Sequence, residues 1–145
     1  MSAHLDDLLD LPNVRVETCT QIDGSVTLNL VMISDGIVCP HCGFHTDELH
    51  QNRPVLVRDL SILGRPAYLY LPRRQFYCTN CQTYSTETVE FVDFKRRHTQ
   101  RYEEDVYQRV QSSNMTQVGR EEGLTYDEIK GIFDHVSSKK SGYQS

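Results

Sequence analysis

Four of the five cysteines in this 145-residue chain stand as two C-x-x-C pairs, Cys39/Cys42 and Cys78/Cys81, with 35 residues between them. No other feature limits the fold so strongly. A C-x-x-C turn brings two thiolates to one side of a metal. Two such turns complete a tetrahedron around Zn²⁺, with Zn–S near ~2.3 Å. The gap is longer than the common ~15–20 residues of such sites, but it suits two antiparallel strands and a turn. Gly43, directly after the first pair, permits the tight backbone of a zinc knuckle. A small sheet buries little apolar surface, so the ion would supply much of its folding free energy. Four protein ligands leave no position for water, so the expected Zn²⁺ is structural, held by Cys39, Cys42, Cys78 and Cys81.

The same cysteines admit other uses. Two disulfides require an oxidising compartment. The N-terminus is acidic, without the basic start and apolar centre of a signal peptide. No apolar run approaches the roughly 18 residues of a membrane span. The expected compartment is the cytoplasm, with no membrane partner and with thiols reduced. A redox C-x-x-C opens a helix, whereas both pairs here follow strand-like sequence. His41, His45 and His50 are near enough to replace a cysteine ligand but read more simply as polar loop residues. Cys19 reads as a small unpaired thiol.

The remaining pattern divides the chain. Residues 1–12 form an acidic lead-in with Leu5, Leu8 and Leu9. Residues 14–33 read as a hairpin: Val14 and Val16 alternate on one arm, Val26, Leu28, Leu30 and Met32 on the other, about an Asp23-Gly24 turn. Residues 54–60 and 67–77 read as two further strands about Leu63-Gly64-Arg65-Pro66. After Tyr84 the apolar period changes to about 3.6. Tyr102, Val106 and Val110 make one helical stripe over about 99–112, and Met115 and Val118 start a short second helix. Thr125 and Glu128 form a capping box for a third, carrying Ile129, Ile132, Phe133 and Val136. The polar tail from Ser137 is expected to fray.

The three-helix stretch fits a helix-turn-helix. Gly119 supplies a small residue where two helices touch, and Gly123 a turn residue tolerant of positive φ. The helix from Thr125 would then enter the major groove, with Thr125, Tyr126, Asp127 and Lys130 facing base edges. That face is not basic. The net charge of −5 excludes a uniformly basic nucleic-acid binder, but residues 51–100 carry +4 between an N-terminal third at −7 and a C-terminal part at −2. Phosphate contacts are therefore expected from Arg96, Arg97, Arg101 and Arg120, with Lys95, Lys139 and Lys140 in support. Arg73 and Arg74 share a strand with Tyr68, Tyr70, Phe76 and Tyr77. That strand would serve as a nucleic-acid face, or as core, which is the commoner fate of strand aromatics.

A resemblance rests on an ordered set of motifs: Cys39-Pro40-His41-Cys42-Gly43, Val57-Arg58-Asp59-Leu60, Gly64-Arg65-Pro66, Leu69-Tyr70-Leu71, Arg73-Arg74-Gln75-Phe76-Tyr77-Cys78, Cys81, Tyr84-Ser85-Thr86-Glu87, then Val118-Gly119-Arg120-Glu121-Glu122-Gly123-Leu124. Over residues 36–136 this resembles the N-terminal zinc-binding and helix-turn-helix region of ISL-three-type insertion-sequence transposases. The resemblance implies recognition of an element's terminal inverted repeats. It does not carry over strand transfer, which belongs to a following acidic-triad nuclease domain. The chain stops at Ser145, before such a domain could begin, so no catalytic residue is assigned and an enzyme is not expected. The acidic segment 1–35, with its hairpin, looks like an added or diverged N-terminal element.

The expected fold class is α+β: a zinc-ribbon-like antiparallel β domain over 13–90, a helix-turn-helix domain over 95–137 and a disordered tail over 138–145. Double-stranded DNA is the expected partner. The family implies a transposase catalytic subunit or self-association as a second. The competing reading is a protein-docking module, favoured by the acidic recognition helix and by the −7 N-terminal third.

Overall fold

A computed structural model describes residues 2–144 of the chain. It begins with helix α1 (Ser2–Leu9) and the hairpin β1 (Val14–Ile22) and β2 (Ser25–Met32). Asp23 and Gly24 have φ of 51° and 79°, the double positive-φ turn that matches strand twist. A second such turn, Leu63 (51°) and Gly64 (78°), joins β6 (Val55–Ile62) to β7 (Arg65–Leu71). The four strands make one sheet in the order β1-β2-β7-β6. One face buries Val14, Val16, Val26, Leu28, Leu30, Val57, Leu69 and Leu71 beneath Leu9 of α1 and Phe91. The alternation of each strand produces that face.

The N-terminal hairpin is therefore no appendage. β2 pairs in parallel with β7, Val26 opposite Ala67 and Leu28 opposite Leu69, so the sheet is not wholly antiparallel. A parallel pair needs a long crossover. Here the crossover consists of the first cysteine pair and the strands that follow it.

The ribbon is built from β3 (Ile37–Val38), β4 (His45–Thr46) and β5 (Leu49–Asn52) of that crossover, with β8 (Arg74–Cys78) and β9 (Thr83–Thr86), which follow β7. β3 pairs with β4, and a three-stranded sheet runs β5-β8-β9. The single strand expected over 67–77 is in fact two strands in two sheets, broken at Pro72-Arg73. Proline has no N–H to give to a ladder, so the strand can change sheets there. A Cβ at the buried Gly36 would collide with the Thr46 carbonyl oxygen, so only glycine lets β4 close over this segment. Arg74 holds the ribbon's back, donating to both carboxylate oxygens of Glu87 at 2.8 Å and to the Ser34 carbonyl at 2.9 Å.

Three helices follow: α2 (Gln100–Ser112), α3 (Met115–Glu122) and α4 (Tyr126–Gln144). Each starts on a side-chain cap. Thr99 accepts from the Tyr102 N–H, Asn114 from that of Gln117, and Thr125 and Glu128 accept reciprocally from each other's N–H groups. Tyr102, Val106, Val110, Val118, Ile129 and Ile132 form their core. Gly123 closes α3 at φ 71°. A Cβ on Gly119 would lie 2.7 Å from the Leu124 carbonyl oxygen, which explains the small residue there. The tail expected to fray from Ser137 instead continues α4 to Gln144. Lys139 pairs with Asp93 at 2.6 Å and Lys140 with Glu104 at 3.1 Å.

Strand β6 ties sheet to helices. The Arg58 N–H donates to the Arg97 carbonyl, and the Thr99 N–H to the Arg58 carbonyl, each at 2.9 Å. The Arg58 guanidinium donates to the Glu122 carbonyl at 2.9 Å and lies over the Tyr68 and Tyr102 rings. Burial works against the Glu122 carboxylate, but hydrogen bonds from Arg109 and Tyr102 hold its pKa below the usual range. Asp59, 3% exposed, accepts from Thr99 at 2.7 Å and from Arg101 at 2.9 and 2.6 Å. Arg101 also reaches the Leu9 carbonyl at 2.7 Å, so one guanidinium clamps α1, β6 and α2.

Removing one partner of a buried ion pair leaves the other uncompensated. Asp59→Ala should lower unfolding free energy by roughly 3 kcal/mol, the low end of that effect, because a third of the Arg101 side chain stays in water. Denaturant titration of the zinc-loaded chain measures it. A loss under about 0.5 kcal/mol, the scale of a surface pair, would show that the clamp is not needed.

Candidate metal centre and nucleic-acid interface

The two cysteine turns face each other across the ribbon. Cys39 Sγ lies 3.6 Å from Cys81 Sγ and Cys42 Sγ 3.6 Å from Cys78 Sγ, and all four sulfurs lie within 4.8 Å of one another. Four sulfurs at ~2.3 Å from one ion define a tetrahedron with edges of about 3.8 Å. The observed separations fit that figure, and all five cysteines are free thiols.

The turns are near copies. The Gly43 N–H donates to the Cys39 carbonyl at 2.8 Å and the Gln82 N–H to that of Cys78 at 2.7 Å. The residue after each pair is left-handed, Gly43 at φ 77° and Gln82 at φ 59°. The second turn thus runs without the glycine that marks the first.

Local dipoles prepare the sulfurs unequally. Burial opposes the Cys39 thiolate, yet the N–H groups of His41 and Cys42 bring its pKa down to about 6. The Asn80 side chain and the Phe44 N–H lower that of Cys42. For Cys81 the Thr83 hydroxyl favours the thiolate, but burial and the three neighbouring sulfurs outweigh it and raise the pKa to about 11. Four sulfurs this close cannot all ionise alone; a dication at their centre removes the conflict. The donor set, geometry and closed shell fit a structural Zn²⁺. His41, His45 and His50 are not among the clustered donors, and the exposed Cys19 stays on β1, outside the cluster.

Asp93, Glu103 and His135 form a second cluster within 4.8 Å. Arg96 and Lys139 already supply cations to its two carboxylates, each at 2.7 Å or less, so each carboxylate has a counter-charge, although the buried Glu103 Oε1 has no hydrogen-bond partner among the described residues, His135 lying 3.9 Å away.

The helix-turn-helix presents the first turns of α4 to solvent. Thr125, Tyr126, Asp127 and Lys130 are all exposed. Thr125 is engaged in the cap, and Lys130 pairs with Asp134 at 2.6 Å. The expected phosphate contacts divide. Arg96 donates to the buried Glu103 at 2.9 and 2.7 Å, and Arg101 is the clamp on Asp59. Neither can hold a phosphate without abandoning an internal partner. A buried carboxylate needs a counter-charge, and the sequence alone did not reveal that Glu103 and Asp59 are buried. Lys139 and Lys140 are also paired. Arg97 and Arg120 remain exposed, Arg120 donating only to Gln117 at 3.2 Å. Sequence reasoning passed over Arg53, an exposed residue beside Pro54 that no periodicity singles out.

Comparison with known proteins finds two family models, one over the ribbon and one over the helices. The family model described as the zinc-finger of transposase IS204/IS1001/IS1096/IS1165 matches residues 35–81. The helix-turn-helix domain of transposase family ISL3 matches residues 87–137. The transposase for insertion sequence element IS1001 of Bordetella parapertussis is 28% identical over 118 residues, covering 81% of this chain and 29% of that protein. The chain thus spans less than a third of the length of this relative. No solved structure matches.

Two measurements test the metal centre. The zinc-loaded chain should hold one zinc ion, and Cys78→Ser should lose it together with the cooperative melt of the ribbon. A Cys78→Ser protein with full metal content and an unchanged melt would remove that cysteine from the ligand set. Gln82→Gly should raise stability by about 0.5–1 kcal/mol, because a left-handed residue other than glycine is strained by roughly 1–2 kcal/mol, partly offset by glycine's chain entropy. A decrease would show that the Gln82 side chain matters more than its φ.

Proposed function

Because the chain carries, in order, the zinc ribbon and the helix-turn-helix of ISL3-type transposases, we propose that it binds duplex DNA as the end-recognising part of such a system. The observation that carries this reading is the α3–α4 corner. The close approach at Gly119 and the left-handed Gly123 set the crossing of the two helices and leave the first turns of α4 uncovered. An exposed helix start on a rigid corner is what enters a major groove. Tyr126 and Lys130 are the side chains best placed to reach base edges, with Thr125 and Asp127 beside them and Arg120 on the preceding helix. The zinc ribbon acts as the rigid support, since the strand that leaves it, β6, carries the Arg58 and Asp59 contacts to the helices.

Cleavage and strand transfer are left to a catalytic partner, either a transposase catalytic subunit or further sequence of the same system, with self-association bringing two element ends together. The cytoplasm is the compartment that suits reduced thiols. No described helix is long and apolar enough to cross a membrane. A docking module is the second reading, favoured by exposed Glu121, Asp127, Glu128 and Asp134 around the corner.

A gel-shift titration of zinc-loaded protein decides between them. Duplex from the element's terminal repeats should bind at least ~10³-fold more tightly than scrambled duplex at physiological salt. Lys130→Ala with Tyr126→Ala should narrow that ratio by about 5- to 150-fold, the worth of a base-reading contact. Absence of any shift at low salt would favour protein docking.

A further inference from the structure

Residues 51–100 hold eight basic side chains, and their fates differ. Arg58, Arg74 and Arg96 are locked in ion pairs. Arg65 donates to Gln21, and Lys95 lies over the Phe94 ring. Arg53, Arg73 and Arg97 have no side-chain partner among the described residues, and all three are exposed. These three line one groove of about 450 Å³, together with Gln51, Gln75 and Thr86 and with no carboxylate.

The cations are placed there by backbone pairing rather than by chance of side-chain drift. The Arg53 N–H donates to the Arg73 carbonyl at 3.0 Å, and the Arg73 N–H to Asn52 Oδ1 at 3.1 Å. This fixes side by side the two bends where the chain passes between ribbon and main sheet. The Arg97 carbonyl accepts from the Arg58 N–H at 2.9 Å, which seats the third arginine against β6 at the start of the helical segment. Gln51 donates to Gln75 at 3.1 Å across the floor. The adjoining cavity, which Arg73 and Arg97 also line, carries Glu87, Glu90 and Asp93, none of which ion-pairs with these arginines, and three like charges on one groove cost free energy in the unbound protein. A polyanion recovers that cost and adds charge-assisted hydrogen bonds.

We propose that the Arg53–Arg73–Arg97 groove holds the phosphate backbone of duplex DNA beside the segment read by the helix-turn-helix. The inference rests on the DNA-binding reading and relocates its phosphate contacts, from the mouth of α2 to the seam between ribbon and sheet. The ligand chemistry is a phosphodiester chain; free inorganic phosphate shares it and is the source to be separated.

The test is the salt dependence of duplex binding by full-length, zinc-loaded protein. The triple variant Arg53→Gln, Arg73→Gln, Arg97→Gln should lower the slope of log Kobs against log salt by about 2.7, at ~0.9 per phosphate contact. Its zinc content and melt should be unchanged. Arg15→Gln, on the opposite edge strand β1, should leave the slope alone. If the triple variant does not fold, each single variant should remove about 0.9. A wild-type protein that binds duplex with a slope untouched by these variants overturns the inference and leaves DNA binding standing. An equal loss from Arg15→Gln overturns it in favour of a mere net-charge effect. Calorimetric binding of inorganic phosphate by wild type and not by the triple variant, at matched ionic strength, overturns it in favour of a small-anion site. Failure of the wild type to bind any duplex at low salt sinks the DNA reading, and the groove assignment with it.

Discussion

Four thiols from two turns far apart in the chain must share a space in which they cannot all be charged without a cation. The remainder of the β half depends on that meeting. Closing a loop of some tens of residues costs only a few kcal/mol of chain entropy, growing slowly with length. A structural zinc offers on the order of 10 kcal/mol in return. The ribbon itself has two-residue strands at β3 and β4, and its buried apolar residues include two of the metal's own ligands, Cys39 and Cys78, beside Phe76. Apolar burial on that scale does not hold a sheet together. The ion would therefore tie the first cysteine turn, inside the crossover between β2 and β7, to the second, which follows β7, while the pairing of those two strands rests on their shared apolar core.

The acidic groups of the family-like motifs serve mainly as counter-charges inside the molecule. Asp59 and Glu122 sit at the junction of sheet and helices, and Glu103 lies beneath the linker into α2. Each is matched by an arginine from another element. The Val57-Arg58-Asp59-Leu60 motif is explained as a coupling device: alternate residues face the sheet core and the helices, so one strand serves both. Its Leu60 packs against the helical core while Val57 belongs to that of the sheet. Relative placement of ribbon and helix-turn-helix is thus built into a strand rather than left to a linker.

Much of this was legible in the sequence because it was local. Each C-x-x-C turn, the Asp23-Gly24 turn, the Gly119/Gly123 corner and the Thr125–Glu128 box acts within a few residues. What was not legible is long-range. Parallel pairing of β2 with β7 brings together strands about 40 residues apart, and neither strand's alternation names its neighbour. The passage of residues 67–77 from one sheet to another was hidden by a continuous β-like pattern, with Pro72 its only mark. The persistence of α4 to Gln144 depends on Lys139 and Lys140 finding Asp93 and Glu104, contacts that a polar tail does not advertise. In the basic run, Arg96 is the partner of Glu103, a carboxylate whose burial only the fold reveals.

Such internal pairing changes what the charge of the whole chain means. A net charge of −5 argues against DNA binding only if every charge counts equally at the surface. Carboxylates buried beside arginines are neutralised over distances much shorter than the ~8–10 Å Debye length and project little field. The potential that a polyanion meets is set by the unpaired remainder. On the ribbon side of the molecule that remainder includes Arg53, Arg73 and Arg97, which line one groove, beside the exposed carboxylates Asp47 and Glu48. At the helix corner the exposed Glu121, Asp127, Glu128 and Asp134 surround the first turns of α4, and there they act in the opposite sense, repelling a polyanion. A protein so arranged would draw its attraction from one surface and its selectivity from another, so that the corner docks where base contacts repay the repulsion.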